Sequence, residues 1–387
     1  MNSWDSIFDD ALSGIDARGQ RRSLRASTIA PHGRMLRDGR EFIDFSSNDT
    51  LGLSQHPVLV ERAREWTRRL GTGAGASRLV TGTSEAHLEL ETKIAAFKKT
   101  EAALLFASGW QANAAVIPAL VKAVADVAVF TDKLIHASLH HGCAAANVQQ
   151  IRFRHNDLDH LETLLKERGA NSSARMILTE SVYSMDGDTA NLARLAEIAR
   201  RHDALLFVDE AHATGVLGPG GAGLSAMLDD GVDLVMGTFS KAMGSFGAYV
   251  AGSARLCDFL VNTCSGFIYS TAPPPAVLGA IDAALDIVPD MDGERARLGQ
   301  LGDQLRSGLK ALGIDSGAST THIVPAIIGD AREAVRVSEE LAHKGLLASA
   351  IRPPTVPAGT SRLRLALRST HEPEDIDALV SAIGKAL

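Results

Sequence analysis

Two periodicities alternate along most of the chain. Between residues 84 and 98 apolar positions recur at helical spacing, with Leu90, Ile94 and Phe97 on one face. Residues 102–107 form an unbroken apolar run that ends at Ser108-Gly109-Trp110, and residues 111–124 return to the helical period. Further short strands are predicted at 127–130, 151–153 and 175–180, with Asn156 and Asn191 as N-caps of helices over 158–168 and 192–202. Residues 204–208 and 232–236 are two more apolar runs that read as buried strands. Strands that alternate with helices in this way predict an α/β fold, a mainly parallel sheet covered by helices on both faces.

The two ends of the chain read differently. Residues 1–40 carry arginines at 18, 21, 22, 25, 34, 37 and 40, the pattern of a solvated helix and arm. Residues 41–46 alternate like a strand, Ser47-Asn48-Asp49 opens a turn, and 72–77 is a loop of small residues. The rhythm breaks at Ala272-Pro273-Pro274-Pro275. A long helical stretch follows, then a smaller α+β pattern with strands at 321–328 and 362–367 and a stiff loop, Ile351-Arg-Pro-Pro-Thr-Val-Pro357. Three parts are expected: an arm over 1–45, a large α/β domain over 46–285 and a small C-terminal α+β domain over 286–387.

Composition narrows the class. The 387 residues are 45% hydrophobic and 22% charged, the balance of a globular protein with a substantial core. A net charge of −7 argues against nucleic acid or an anionic membrane surface as partner. Cys143, Cys257 and Cys264 form no C-x-x-C and are odd in number, which fits small buried side chains in a reducing compartment. The acidic N-terminus has no apolar core of a signal peptide, and no apolar run is long enough to span a bilayer. A cytoplasmic location is expected.

The chemistry concentrates at two strand ends. Gly237-Thr-Phe-Ser-Lys241 follows the run 232–236, and small residues come next, leaving room for a bulky group beside an amine. Asp209 closes the run 204–208 in the same manner, within Asp209-Glu-Ala-His212. Ligands of open α/β sheets gather at the carboxyl ends of strands. An amine for a Schiff base and a carboxylate for a pyridinium nitrogen are what pyridoxal phosphate requires. Lys241 and Asp209 are the candidates. Asp209-Glu-Ala-His212 also spells a helicase box, but no G-x-x-x-x-G-K-[ST] loop precedes it. Gly218-Pro-Gly-Gly-Ala-Gly223 fits a dinucleotide fingerprint only in its letters, since Pro219 makes it a turn. His136 and His140 have the spacing of zinc ligands, yet no Glu lies between them and no cysteine pair supports them, so no metal is expected.

At Asp209-Glu-Ala-His212, Thr238-Phe-Ser-Lys241, Thr179-Glu-Ser-Val-Tyr-Ser-Met-Asp-Gly187 and Arg352-Pro-Pro-Thr-Val-Pro357 the chain resembles the α-oxoamine synthases, aspartate-aminotransferase-like enzymes that use pyridoxal phosphate. The likeness runs from about residue 18 to the C-terminus. The Arg-Pro-Pro-Thr-Val-Pro loop and Phe45-Ser-Ser-Asn-Asp49 favour the biotin-pathway branch over its glycine-using relatives.

The resemblance implies a fold type I transferase that condenses L-alanine with a pimeloyl thioester, on coenzyme A or acyl carrier protein, as a homodimer with its site at the interface. It implies that Lys241 holds the cofactor and moves the α-proton, that Asp209 protonates the pyridine nitrogen and that His136 stacks on the ring. His212 and Ser184 are implied near the phenolic oxygen, and Gly109, Trp110 and Thr238 at the phosphate. Ser270 and Thr271 would serve the partner's phosphate. Arg25 and Thr355 match acyl-chain contacts, and Asn48 and Arg364 are candidates for the amino-acid carboxylate. Thr50 and Trp110 depart from the usual Tyr and Phe or Tyr, which bears on the pocket wall rather than on the chemistry. Two other readings are a sister reaction of glycine with acetyl-CoA or succinyl-CoA, and a non-catalytic regulator on the same scaffold. Against the regulator, the N-terminus holds no clear helix-turn-helix.

Overall fold

The computed structural model describes residues 3–18, 20–30 and 32–387. Helix α1 (Ser3–Ala17) precedes three short strands, β1 (Thr28–Ala30), β2 (Arg34–Arg37) and β3 (Arg40–Asp44). Two helices follow, α2 (Pro57–Leu70) and α3 (Glu85–Lys98). Strand–helix units then run β4 (Ala102–Phe106), α4 (Gly109–Lys122), β5 (Val127–Asp132), α5 (Ala137–Ala145), β6 (Gln150–Phe153), α6 (Leu158–Arg168), β7 (Ala174–Glu180), α7 (Leu192–Arg201), β8 (Ala204–Asp209), β9 (Leu234–Thr238) and β10 (Ala248–Gly252). Helices α8 (Ala254–Thr263), α9 (Ser265–Ile268), α10 (Pro275–Ile287) and α11 (Asp292–Ala311) lead to β11 (Ile323–Gly329). The chain closes with α12 (Ala331–His343), β12 (Leu346–Leu347), β13 (Ser349–Ile351), β14 (Ser361–Ala366) and α13 (Pro373–Ala386).

Seven strands make the main sheet, in the order β4-β10-β9-β8-β7-β5-β6. All its pairings are parallel except those of β10, which runs against both β4 and β9. Alternate residues of each strand feed opposite faces. On one face Val129, Leu178, Phe207 and Val250 pack with Val116 and Ile117 of α4. On the other, Phe130, Ile177, Leu206 and Val208 meet Leu161 and Leu165 of α6 and Leu195 and Ile198 of α7. Toward the β4 edge, Leu105, Tyr249 and Ala251 join Leu90 and Ile94 of α3 in a cluster that continues into α10, α11 and α13. The C-terminal part builds a three-stranded sheet, β11-β14-β13, and lends β12 to β3 in a second small sheet, β1-β2-β3-β12. The α/β class with a mainly parallel, doubly covered sheet and a smaller C-terminal α+β part is therefore the architecture of the chain.

Several details differ from the periodicity reading. The N-cap of α6 is Asp157, whose side chain accepts the His160 N–H. Asn156 instead takes a left-handed φ of 54° and sends its amide to Asp188. Asn191 does cap α7, accepting from the Arg194 N–H at 3.1 Å. Strands β1, β2 and β10 were hidden in the sequence because they are short or rich in small and charged residues. The Gly218–Gly223 stretch is a tight turn, with Gly223 N–H bonded to Leu217 O at 2.8 Å.

The loop after β7 ties the two parts together. Thr321 donates its hydroxyl to Gly187 O at 2.8 Å, and the Thr320 N–H reaches the same carbonyl at 3.1 Å. Gly187 has a φ of 69°, and a Cβ there would collide with the Ile323 carbonyl, which is backbone and cannot swing away. Gly187→Ala is therefore expected to destabilise the fold by at least about 2 kcal/mol, read as a lowered urea midpoint.

Candidate active site

A cleft of about 200 Å³ opens at the carboxyl ends of the parallel strands. Ser108, Gly109 and Trp110 come from the β4–α4 junction, His136 and Ser138 from the start of α5, and Glu180 from the end of β7. Asp209, Ala211 and His212 come from the end of β8, and Thr238, Ser240 and Lys241 from the end of β9. Parallel strands make this convergence: five chain segments far apart in sequence finish on one rim.

The polar groups hold each other in place. The Lys241 amine lies 2.9 Å from His212 Nε2. The Asp209 carboxylate accepts from Asn113 Nδ2 at 2.8 Å and from the Ala211 N–H at 2.9 Å. Asn113 also donates to the Ser138 hydroxyl at 2.9 Å. His136 is the N-cap of α5: its Nδ1 accepts the Ser138 N–H and lies 2.7 Å from the Ser138 hydroxyl. Trp110 stands edge-on to His136, ring centroids 6.2 Å apart, and is 49% exposed. Thr238 donates to Gly247 O at 2.8 Å and lies 2.8 Å from the Ser240 hydroxyl. Gly237 just before it has no room for a Cβ, which would run into the Tyr249 ring.

Burial governs the protonation states. It pulls the Lys241 amine down to about 8, against the upward pull of Asp209 and with help from Arg364. The same desolvation, joined by the Lys241 and Arg364 charges, holds His212 well below the ordinary imidazole value. Burial also pushes His322 down to about 3. An amine whose proton affinity is lowered this far is partly free near neutral pH and is a usable nucleophile and base.

A second cluster adjoins the cleft. Arg364, 6% exposed, donates from Nε to Ser184 O at 2.5 Å and from Nη2 to Asn48 Oδ1 at 3.1 Å. Four expected site residues lie elsewhere in the single chain. Arg25 is exposed on the extended segment between α1 and β1. Thr355 is exposed in the Pro-rich loop, its N–H bonded to Arg352 O at 3.1 Å. Ser270 and Thr271 border a separate crevice beside Arg78 and Gln111. Thr50 is buried, its hydroxyl on Asn48 O at 3.1 Å. His136 and His140 do not converge, since His140 Nδ1 pairs with Gln150 Oε1 at 2.7 Å. Among the described residues no group of three or more His, Cys, Asp or Glu could hold a metal ion, and no helix is long and apolar enough to cross a membrane.

Sequence reasoning passed over Asn113, Ser138, Glu180 and Ser240. Two of them had a signal. Asn113 is a polar residue on the buried face of α4, and Glu180 closes an apolar strand just as Asp209 does.

The cleft's donor set suits pyridoxal phosphate. It offers a lysine amine of lowered proton affinity, a carboxylate fixed by two donors, and an imidazole at its wall. At its mouth is the N-terminus of the fourteen-residue α4, where the Ser108 side chain caps only the Gln111 N–H and leaves the first amides for an anion. The comparisons agree. Residues 40–383 match the model of the family described as aminotransferase class I and II. The 8-amino-7-oxononanoate synthase of Gluconacetobacter diazotrophicus is 58% identical over 393 residues, spanning 100% of this chain and 98% of that one. Among solved structures, a lysine-to-alanine variant of serine palmitoyltransferase from S. paucimobilis with bound PLP-myriocin aldimine has a TM-score of 0.91 at 28% identity, over 98% of this chain and 97% of that one. The 8-amino-7-oxononanoate synthase from Francisella tularensis has a TM-score of 0.77 at 27% identity, over 89% and 97%. Fold and cleft thus define a pyridoxal-phosphate-dependent transferase of fold type I. The chain belongs to the aminotransferase class I and II family, and within it to the group that includes the 8-amino-7-oxononanoate synthases.

Behind the cleft, His155 bridges two buried carboxylates, Asp132 at the end of β5 and Asp188 in the loop after β7, at 2.9 Å each. Burial pulls this imidazole down, but the two hydrogen-bonded carboxylates outweigh it and raise the pKa to about 10. Its folded value lies above the unfolded value of about 6.5, so the stabilisation is complete below that pH and is lost as pH rises through the folded value. Thermal midpoints measured across that range should fall more steeply in the wild type than in His155→Gln.

Proposed function

We propose that this protein is an acyltransferase that condenses L-alanine with a pimeloyl thioester, carried on coenzyme A or acyl carrier protein, and releases 8-amino-7-oxononanoate, carbon dioxide and the free thiol. The observation that carries the chemistry is the partly buried Lys241 amine, 2.9 Å from His212 in the cleft that Asp209 also lines. The substrates rest on the name of the relative that is 58% identical and on the Arg-Pro-Pro-Thr-Val-Pro loop.

Pyridoxal 5′-phosphate, when bound, supplies a protonated ring that accepts the electron pair left when the amino acid loses its α-proton. Lys241 holds the cofactor and then, as a free amine, takes that proton at Nζ. Asp209, oriented by Asn113 and the Ala211 N–H, keeps the pyridine nitrogen protonated. His136, which lines the cleft, would hold the ring. His212 and Ser184 serve the phenolic oxygen, Gly109, Trp110 and Thr238 the phosphate, and Thr271 the phosphate of the second subunit in a homodimer. Arg364 and Asn48 orient the amino-acid carboxylate, a task for which a guanidinium fork is suited. Arg25 and Thr355 receive the acyl chain. The alanine Cα forms a bond to the thioester carbonyl carbon, the C–S bond breaks, and the sulfur leaves as a thiolate that takes a proton from solvent. The C–CO₂ bond then breaks, and Lys241 returns a proton to Cα. The reading places the enzyme in the cytoplasm.

Thiol release by the purified holoenzyme tests the substrates. Pimeloyl-CoA with L-alanine should far exceed acetyl-CoA or succinyl-CoA with glycine; preference for a glycine pair overturns the substrate assignment. Lys241→Ala should lower turnover by more than about 10³-fold. The lowered proton affinity of Lys241 has its own signature in the cofactor-free protein. The rate of pyridoxal phosphate uptake, followed by visible absorption, should rise about tenfold per pH unit and level off above the amine's pKa, about 8.

A further inference from the structure

Glu180 has no part in the chemistry above, yet it lines the cleft. It ends β7 in register with Asp209 at the end of β8, so the two carboxyl groups leave adjacent parallel strands at the same level. It is 3% exposed, and among the described residues its Oε1 is buried with no hydrogen-bond partner. Its carboxyl lies close to the backbone N–H of His136. The groups that face it are Asp132 from β5, Tyr183 from the following loop, Asp209 from β8, and Lys241 after β9.

We infer that Glu180 is a positioning residue that stays protonated: it leaves Asp209 the single ionised carboxylate on that wall of the cleft and holds the His136 backbone in place. Two like charges on neighbouring strand ends cannot both persist in a desolvated site without a large cost. The settlement falls on Glu180 because of hydrogen bonding. Asp209 accepts from Asn113 and the Ala211 N–H, both of which favour its charged form, whereas Glu180 has one oxygen without any donor. Burial, followed by the Asp209 charge, raises Glu180 well above the ordinary carboxylate value. A neutral Glu180 serves two ends. It spares Lys241 a second nearby negative charge, which would hold the amine protonated. It also gives the His136 loop an acceptor without adding charge beneath the imidazole.

The inference rests on the cofactor assignment above but not on the choice of substrates, and infrared spectroscopy of the substrate-free holoenzyme tests it. Wild type at neutral pH should show a protonated-carboxyl C=O band that disappears in Glu180→Gln. Replacing a neutral acid by a neutral amide should move the pH transition of the bound cofactor's absorption by less than about half a unit. Glu180→Ala, which loses the acceptor for His136, should cut turnover at least about tenfold, and Glu180→Gln should restore most of it. A wild type without the band, a band that persists in Glu180→Gln, or a transition displaced by about one unit or more would each show that Glu180 is charged or uninvolved and overturn the inference. Full turnover in Glu180→Ala would overturn the positioning role.

Discussion

A primary amine partly buried at the end of a central strand sets the terms for everything around it. Away from water Lys241 keeps its proton less readily, and the Asp209 carboxylate nearby draws it back. The balance between these pulls decides whether the side chain is an inert ion pair or a reagent. Every neighbour therefore has a defined electrostatic task. Asp209 is oriented by two donors, His212 is kept neutral by burial, and Arg364 is held by its bonds to Ser184 and Asn48.

That balance needs a rigid frame, and a buried ion pair supplies part of it. Lys98 of α3 and Glu210 are both fully buried and meet at 2.5 Å, and Glu210 also accepts from the Ser225 N–H and hydroxyl at 2.9 and 2.7 Å. Glu210 sits between Asp209 and His212. The bonds that satisfy its charge thus also fix the turn on which both cleft residues stand, and breaking such a pair by removing one partner is costly.

The sheet and its helices were legible because strands buried on both faces read as apolar runs and the helices between them as amphipathic repeats. Lys241 and Asp209 were legible because a charged residue that closes such a run has few reasons to be there. Glu180 met the same test and was passed over, since nothing local distinguishes a strand-end acid that faces a cleft from one that faces solvent. Asn113 and Ser138 were invisible for a related reason: their tasks depend on α4 and α5 packing side by side, so that Asn113 reaches both Ser138 and Asp209. The N-cap of α6 was misplaced by one residue because Asn and Asp are both good caps, and the tertiary bond from Asn156 to Asp188 decided between them.

The single reversed strand, β10, sits between β9 and β4 and makes both of their pairings there. Every backbone bond that joins the β4 edge to the rest of the sheet therefore waits for residues 248–252. In a chain emerging from the ribosome β5, β7, β8 and β9 can pair in turn, but β4, which leads into Ser108, Gly109 and Trp110, joins the sheet only when β10 is inserted. The order of synthesis thus makes the cleft a late product of folding: the reactive lysine emerges before the wall that faces it is in place.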